Sequence, residues 1–435
     1  MTARVVSIEA RRGFAPLLIL LVAVESALLL SAHPADWAAS WPGVGQALRD
    51  STAACGALIV AAGVWLGSRE RRRGMIDLLA STPRPRWRRL VATGIPLALA
   101  ASLGLLITGG LAALLVAPHA SYVGGRWWLD VILAVLGLGA VTAAGLAIGR
   151  LASTISNAVG RMLLAPVAGI ATYIGVLTLQ RQPPTSLPTA WNIANASIGP
   201  FQRIDYRGAL GQGVWLVGLA AGLLIVAGAR RTWLGLAPIA VAAVVSAALL
   251  PSGLNSVIGY DPSANQLVCT GTGPRICLTR EHQHLAGQIR DLVTTTYARL
   301  PASLVMPATV AESGPFHIPT PRGSLTLSMP SASHDVTLTG SLSASGARSI
   351  RGAVVGNALP ECDFKHENYQ GTLARATVSA YLTGGQDGAV AGDPNAGLLD
   401  GLRSMTPAAA GSRISRYLSV VSSGKCGTAS LDALR

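Results

Sequence analysis

Seven separated runs of mostly apolar residues, near 14–32, 51–67, 90–117, 128–149, 163–179, 213–229 and 232–250, constrain this chain more than any other feature. A helix needs about 20 largely apolar residues to cross a hydrocarbon core, and these runs are close to that length. Half of the 435 residues are apolar and 12% are charged, too oily a balance for a soluble globular chain. Charge is also unevenly divided. Residues 1–250 hold 20 arginines, no lysine and 8 acidic residues, whereas 251–435 hold 14 basic and 12 acidic residues. Two environments are implied: a transmembrane domain over 1–250 and a second domain over 251–435. The expected fold is an α-helical polytopic membrane domain of about seven transmembrane helices, followed by a C-terminal mixed α/β extracytoplasmic domain.

Orientation follows from the arginines, because short cytoplasmic loops retain Lys and Arg. With the N-terminus inside, the cytoplasmic segments collect Arg4, Arg11 and Arg12, then eight arginines between 69 and 89, then Arg150 and Arg161, then Arg230 and Arg231. The outer segments hold Arg49, Arg126, Arg181, Arg203 and Arg207. The bias agrees at every alternate loop and places 251–435 outside. A net charge of +14 invites nucleic acid as a partner, but these basic residues punctuate apolar spans instead of gathering on one solvated face, so none is expected. Arg11-Arg12 before an apolar run that ends in Ser31-Ala32-His33 also looks like a secretory signal; the run is longer than a usual signal core, and cleavage would not alter the orientation of the rest.

Cys269, Cys277, Cys362 and Cys426 all follow the last span, while Cys55 lies within one. An even number in an oxidising compartment suggests two disulfides among three pairings. Cys269–Cys277 with Cys362–Cys426 is favoured, because the first pair brackets a Gly/Pro-rich turn at 270–274; free thiols are the alternative. In the same domain 281–300 has apolar residues at helical spacing, 324–329 and 336–339 alternate like strands, 371–382 and 412–422 look helical, and 383–396 reads as a loop.

The stretch at 68–89 between spans two and three is the most informative. Met75, Leu78 and Leu79 fall at i, i+3 and i+4, which on a helix makes one apolar face beneath a collar of arginines. Such a helix can lie on a membrane surface or dock in a partner's groove, and Pro83 and Pro85 end it. At these residues the sequence resembles the ABC-2 family of bacterial transporter permeases. That family has, in its first cytoplasmic loop, an acidic residue, a glycine, a leucine pair and a small-small-proline-x-arginine turn. Glu70, Gly74, Leu78, Leu79, Ser81, Thr82, Pro83 and Arg86 fill those roles here. The resemblance implies that this loop, Met75 included, couples to an ABC ATPase subunit, that 149–158 is a smaller contact, and that a second permease subunit completes a homo- or heterodimer in the bacterial cytoplasmic membrane. It covers roughly the first 230 residues and leaves the last span and 251–435 without interpretation. The rival reading of the collar is positive-inside topology alone.

The chain has no glycine-rich loop ending in Gly-Lys-Ser or Gly-Lys-Thr, so it carries no cofactor of its own: ATP and Mg would be bound by the partner ATPase. Glu25, mid-span in the first helix, is a candidate for the substrate path or for helix pairing, or else a protonated or hydrogen-bonded structural residue. For 180–213 the resemblance implies short helices that dip back and close the exit; anchoring of its aromatic residues at the interface is the alternative. His282 and His284 are two apart and point to different faces of a helix, which does not suit shared ligation. Glu361, Cys362, Asp363, His366 and Glu367 could hold a metal only if Cys362 is free. A serine hydrolase elbow of the form Gly-x-Ser-x-Gly is also missing; with no nucleotide-binding motif the chain is not expected to be an enzyme by itself, and transport would depend on ATP hydrolysis by the partner subunit. The reading is an ABC exporter permease driven by a separate ATPase; the alternative is a membrane-anchored sensor or binding receptor acting through its outer domain.

Overall fold

The computed structural model describes residues 14–34, 37–75, 86–152, 158–180, 192, 201–229, 232–250, 258–302, 304, 306–313, 324–328, 341–360, 369–384, 394–425 and 427–435. They divide into two compact units, Met1–Ala264 and Asn265–Arg435.

The first unit contains α1 (Ala15–Ala32), α2 (Trp41–Gly67), the single turn α3 (Arg69–Arg72), α4 (Arg86–Val116), α5 (Trp127–Leu151), α6 (Ala158–Gln180), α7 (Tyr206–Gly228) and α8 (Leu236–Leu249). A short antiparallel pair, β1 (Gln202–Ile204) and β2 (Ile258–Tyr260), joins the segment before α7 to the segment after α8. Among the described residues, seven helices are long and apolar enough to cross a membrane, α8 counting from Thr232 with the 3-10 turn that precedes it. Leu20 and Leu28 of α1 and Leu99, Leu111 and Leu114 of α4 point outward, as helices solvated by lipid require.

The two largest differences from the spans expected on hydropathy are at the helix starts: α2 begins at Trp41 instead of 51, and α7 at Tyr206 instead of 213. Local capping explains both. The Ser40 hydroxyl accepts the Gly43 N–H at 3.1 Å with Pro42 in the first turn, and the Asp205 carboxylate accepts the Arg207 N–H at 3.0 Å. Polar residues in the first turns, Gln46, Arg49 and Asp50 in α2 and Gln212 in α7, depress the hydropathy that would have extended the spans. Arg49, expected in an outer loop, is therefore inside α2 and 1% exposed.

The most extensive helix pairing joins α2 to α5, through glycines four apart on each: Gly63 and Gly67 against Gly145 and Gly149. The Gly63 and Gly145 backbones meet directly, and a β-carbon at 145 would stand 2.6 Å from the Val60 carbonyl oxygen. Small residues at this spacing let backbones approach in a membrane, where packing replaces the hydrophobic drive. The seam ends at Gly67 and Gly149, and so fixes the register of the residues just beyond it, Glu70 and Arg150.

The second unit is a small mixed sheet with helices. Strands β3 (Leu267–Thr270), β4 (Arg275–Thr279), β5 (Thr309–Ser313) and β6 (Leu325–Ser328) lie in that order, β3–β4 antiparallel and the other pairs parallel. Helix α9 (Ala286–Tyr297) provides the crossover from β4 to β5, as parallel neighbours need, and buries Ile289, Val293 and Thr296 on one face. Helix α10 (Ala344–Ala358) adds Ile350 and Val354 to the same core. A second core gathers Leu373 and Val378 of α11 (Tyr369–Thr383) with Ile414, Tyr417 and Val421 of α13 (Pro407–Ser422). Helix α12 (Pro394–Ser404) begins within the segment expected to be a loop over 383–396, and α14 (Thr428–Asp432) closes the chain. The strand expected at 336–339 lies outside the described residues.

Candidate functional site

Where α2 ends, the Ser68 hydroxyl donates to the Val64 carbonyl at 2.9 Å, and the chain turns into α3. Gly74, at φ +65°, then stops that turn: the Met75 N–H donates back to the Glu70 carbonyl at 3.0 Å, the closure that a left-handed residue just past a helix end permits. Met75 is therefore beyond the cap of α3 and not on a helix continuous with it. The carboxylate of Glu70 reaches Arg150 at the end of α5 at 2.7 Å and Arg89 at the start of α4 at 3.9 Å. One side chain thus links the segment after α2 to two further helices. These ions are partly exposed, and such pairs are worth about 0–1 kcal/mol, so the joint fixes geometry more than it adds stability. Beside it lies a cavity of about 190 Å³ bordered by Glu70, Met75, Arg69, Arg73, Arg89 and Arg150. Leu78, Leu79, Ser81, Thr82 and Pro83 lie outside the described residues, and Arg86 is the first residue of α4.

Toward the other ends of the helices, Arg49 of α2 donates to Asp130 of α5 at 3.0 Å and to Gln212 of α7 at 2.6 Å, all three buried. A charge in this setting persists because an opposite charge and hydrogen bonds meet it. Glu25 of α1 is partly buried, and the buried free cysteine Cys55 of α2 is among the groups that influence its carboxyl. One residue along, Ser26 donates to Thr108 of α4 at 2.9 Å. Ser26 thus takes part in the pairing of α1 with α4.

In the second unit Cys269 and Cys277, directly opposite on β3 and β4, form a disulfide, whereas Cys362 and Cys426 lie outside the described residues. The buried carboxylate of Glu312 on β5 accepts the Thr279 N–H at 2.8 Å and the Thr279 hydroxyl at 2.9 Å, and lies 2.7 Å from Nδ1 of His282. Burial opposes charge on His282, but the charge and hydrogen bond of Glu312, with the charge of Glu281, hold its pKa above the ordinary value. Burial likewise opposes charge on Glu312, yet His282 and Thr279 bring its pKa below the usual carboxylate value. The sign for stability follows by linkage. The histidine contribution is complete below its unfolded pKa of 6.5 and is lost as pH rises through the raised folded value; the glutamate contribution is complete above 4.5 and is lost as pH falls through the lowered one. Hydrogen exchange of β4 and β5 in the full chain should therefore show greatest protection between about pH 4.5 and 6.5 and a decline toward pH 9, with Glu312→Gln flattening the alkaline limb. An alkaline limb that is the same in wild type and variant would contradict this.

Among the described residues no three His, Cys, Asp or Glu side chains are grouped to hold a metal, and Glu361, Cys362, Asp363, His366 and Glu367 lie outside them. Compared with protein-family models, curated proteins and solved structures, the chain matches none. The class that these features define is a largely helical protein with seven helices suited to crossing a membrane and a small mixed sheet after them.

Proposed function

We propose that this chain is the permease subunit of an ABC-2-type transporter, exporting a substrate across the bacterial cytoplasmic membrane with ATP and Mg bound by a separate ATPase subunit and a second permease subunit beside it. The observation that carries the reading is the Glu70 joint. A push on the segment after α2 is passed through Glu70 to the end of α5 and the start of α4, and the glycine seam makes α2 and α5 move as one body. Coupling requires that linkage between a cytoplasmic contact and the spans, and the pattern of Glu70, Gly74, the leucine pair and the Ser81-Thr82-Pro83 turn supplies the contact.

A charge swap tests the joint. Glu70→Arg places like charges beside Arg150 and Arg89, and substrate-stimulated ATP hydrolysis by the purified complex should fall about tenfold while the ATPase still co-purifies; adding Arg150→Glu should restore most of it. A double variant no better than the single would remove the joint from the mechanism.

The arginine bias puts 68–89 inside and 251–435 outside. Engineered cysteines in 251–435 should react with an impermeant maleimide on intact cells, and those in 68–89 only after lysis. The reverse pattern would invert the orientation.

A further inference from the structure

We propose that the arginine-bordered cavity beside Glu70 binds the phosphate of an anionic lipid headgroup. The inference requires only that the apolar helices lie in a bilayer, and so stands apart from the transporter reading.

Charge is the first argument. Arg69, Arg73, Arg89 and Arg150 border the cavity of about 190 Å³, and Glu70 is the acidic residue among the described residues that face it, so the described ionisable side chains of the lining sum to +3. Guanidinium groups match phosphate oxygens with paired, fixed donors, which a lysine would not. The neighbouring Arg72 shows the crowding: burial, then the like charges of Arg73 and Arg69, bring its pKa below the ordinary value. An anion in the cavity relieves that repulsion.

Depth is the second argument. The cavity lies where α2 and α5 end and α4 begins, with Leu66, Leu90 and Leu146 as its apolar wall. Trp65 and Trp87 stand at the same helix ends, 44% and 48% exposed, with Arg72 stacked 3.6 Å over the first ring and Arg88 5.4 Å over the second. Exposed tryptophans at the ends of apolar helices mark the headgroup level, and basic pockets between helices at that level receive lipid phosphates. Size is the third. Ligand pockets for drug-sized molecules run from about 300 Å³ upward, so this one suits a phosphate and its ester oxygens, with the rest of the lipid outside along the helices.

Glu70 competes with the phosphate for Arg150 and Arg89, and this gives the proposal an unusual sign. The test uses the purified full chain in detergent, incubated with phosphatidylglycerol, with phosphatidylcholine or with inorganic phosphate, and read by native mass spectrometry and thermal melting. Phosphatidylglycerol should be retained and raise the melting temperature, and phosphatidylcholine should do neither. Arg73→Gln/Arg89→Gln should weaken retention about tenfold, and the single Arg73→Gln, at an exposed side chain, by several-fold. Glu70→Gln should strengthen it, and Arg416→Gln, an exposed arginine of the second unit, should leave it unchanged. Equal retention of both lipids, protection by millimolar inorganic phosphate equal to that by lipid, weaker retention in Glu70→Gln, or an equal loss in Arg416→Gln would each overturn it.

Discussion

Arg49→Leu is expected to destabilise the first unit by about 3–5 kcal/mol, the cost of breaking a buried ion pair from one side. The substitution leaves Asp130, 3% exposed, with its charge uncompensated, and deprives Gln212 of a 2.6 Å hydrogen bond. Helices α5 and α7 would then each carry a polar group that has lost the guanidinium it faces. In detergent-solubilised protein the melting temperature should fall by on the order of 10 °C. Asp130→Asn should be costly for the opposite reason, since it leaves the guanidinium without its counter-charge. Arg49→Leu combined with Asp130→Leu should recover most of the loss, because exchanging a whole buried pair for apolar side chains is often close to neutral. If Arg49→Leu alone melts within about 2 °C of wild type, the pair does not pin α2, α5 and α7.

This network shows where reading the sequence falls short. Seven spans are legible because hydropathy over some 20 residues is a strong signal. Arg49 is missed because the same measure penalises the polar first turns of α2 and so assigns them to a loop. The information is nonetheless present: Ser40 followed by Pro42 marks a helix start, and that start places Arg49 within reach of Asp130, a lone acid in another span. The glycine seam is equally visible afterwards, as Gly63-x-x-x-Gly67 and Gly145-x-x-x-Gly149, two such motifs in apolar helices.

In the second unit the spacing of Ile289, Val293 and Thr296 reveals a helix, read at 281–300, of which the α-helix takes Ala286–Tyr297. The short strands β3, β4 and β5 are not, because four or five residues give periodicity too little to work with. The pairing of His282 with Glu312 depends on a parallel register between β4 and β5, which no local pattern encodes. At the Glu70 joint, the glutamate is named by its place in a loop pattern, but its partners come from the ends of two other helices. Only the α2–α5 packing brings Arg150 to it.

The transporter account is tested most directly at Leu78 and Leu79, the leucine pair that the sequence pattern assigns to the coupling contact. Burial in a partner's groove is worth roughly 1.5–3 kcal/mol for each fully buried leucine. Leu78→Asp/Leu79→Asp removes that contact and adds two charges to be desolvated, so affinity for the ATPase should fall at least tenfold. Substitutions at Arg71, Arg72 and Arg73 should disturb topology or lipid contact more than subunit affinity. The measurement is co-purification of the co-expressed ATPase with wild type and with the double variant, after matching their membrane insertion, with ATP hydrolysis assayed in each eluate. The account predicts an ATPase stoichiometric with the wild type and lost from the variant. An ATPase absent from the wild-type preparation, or retained in active form by the variant, would contradict it and favour a membrane-anchored receptor instead.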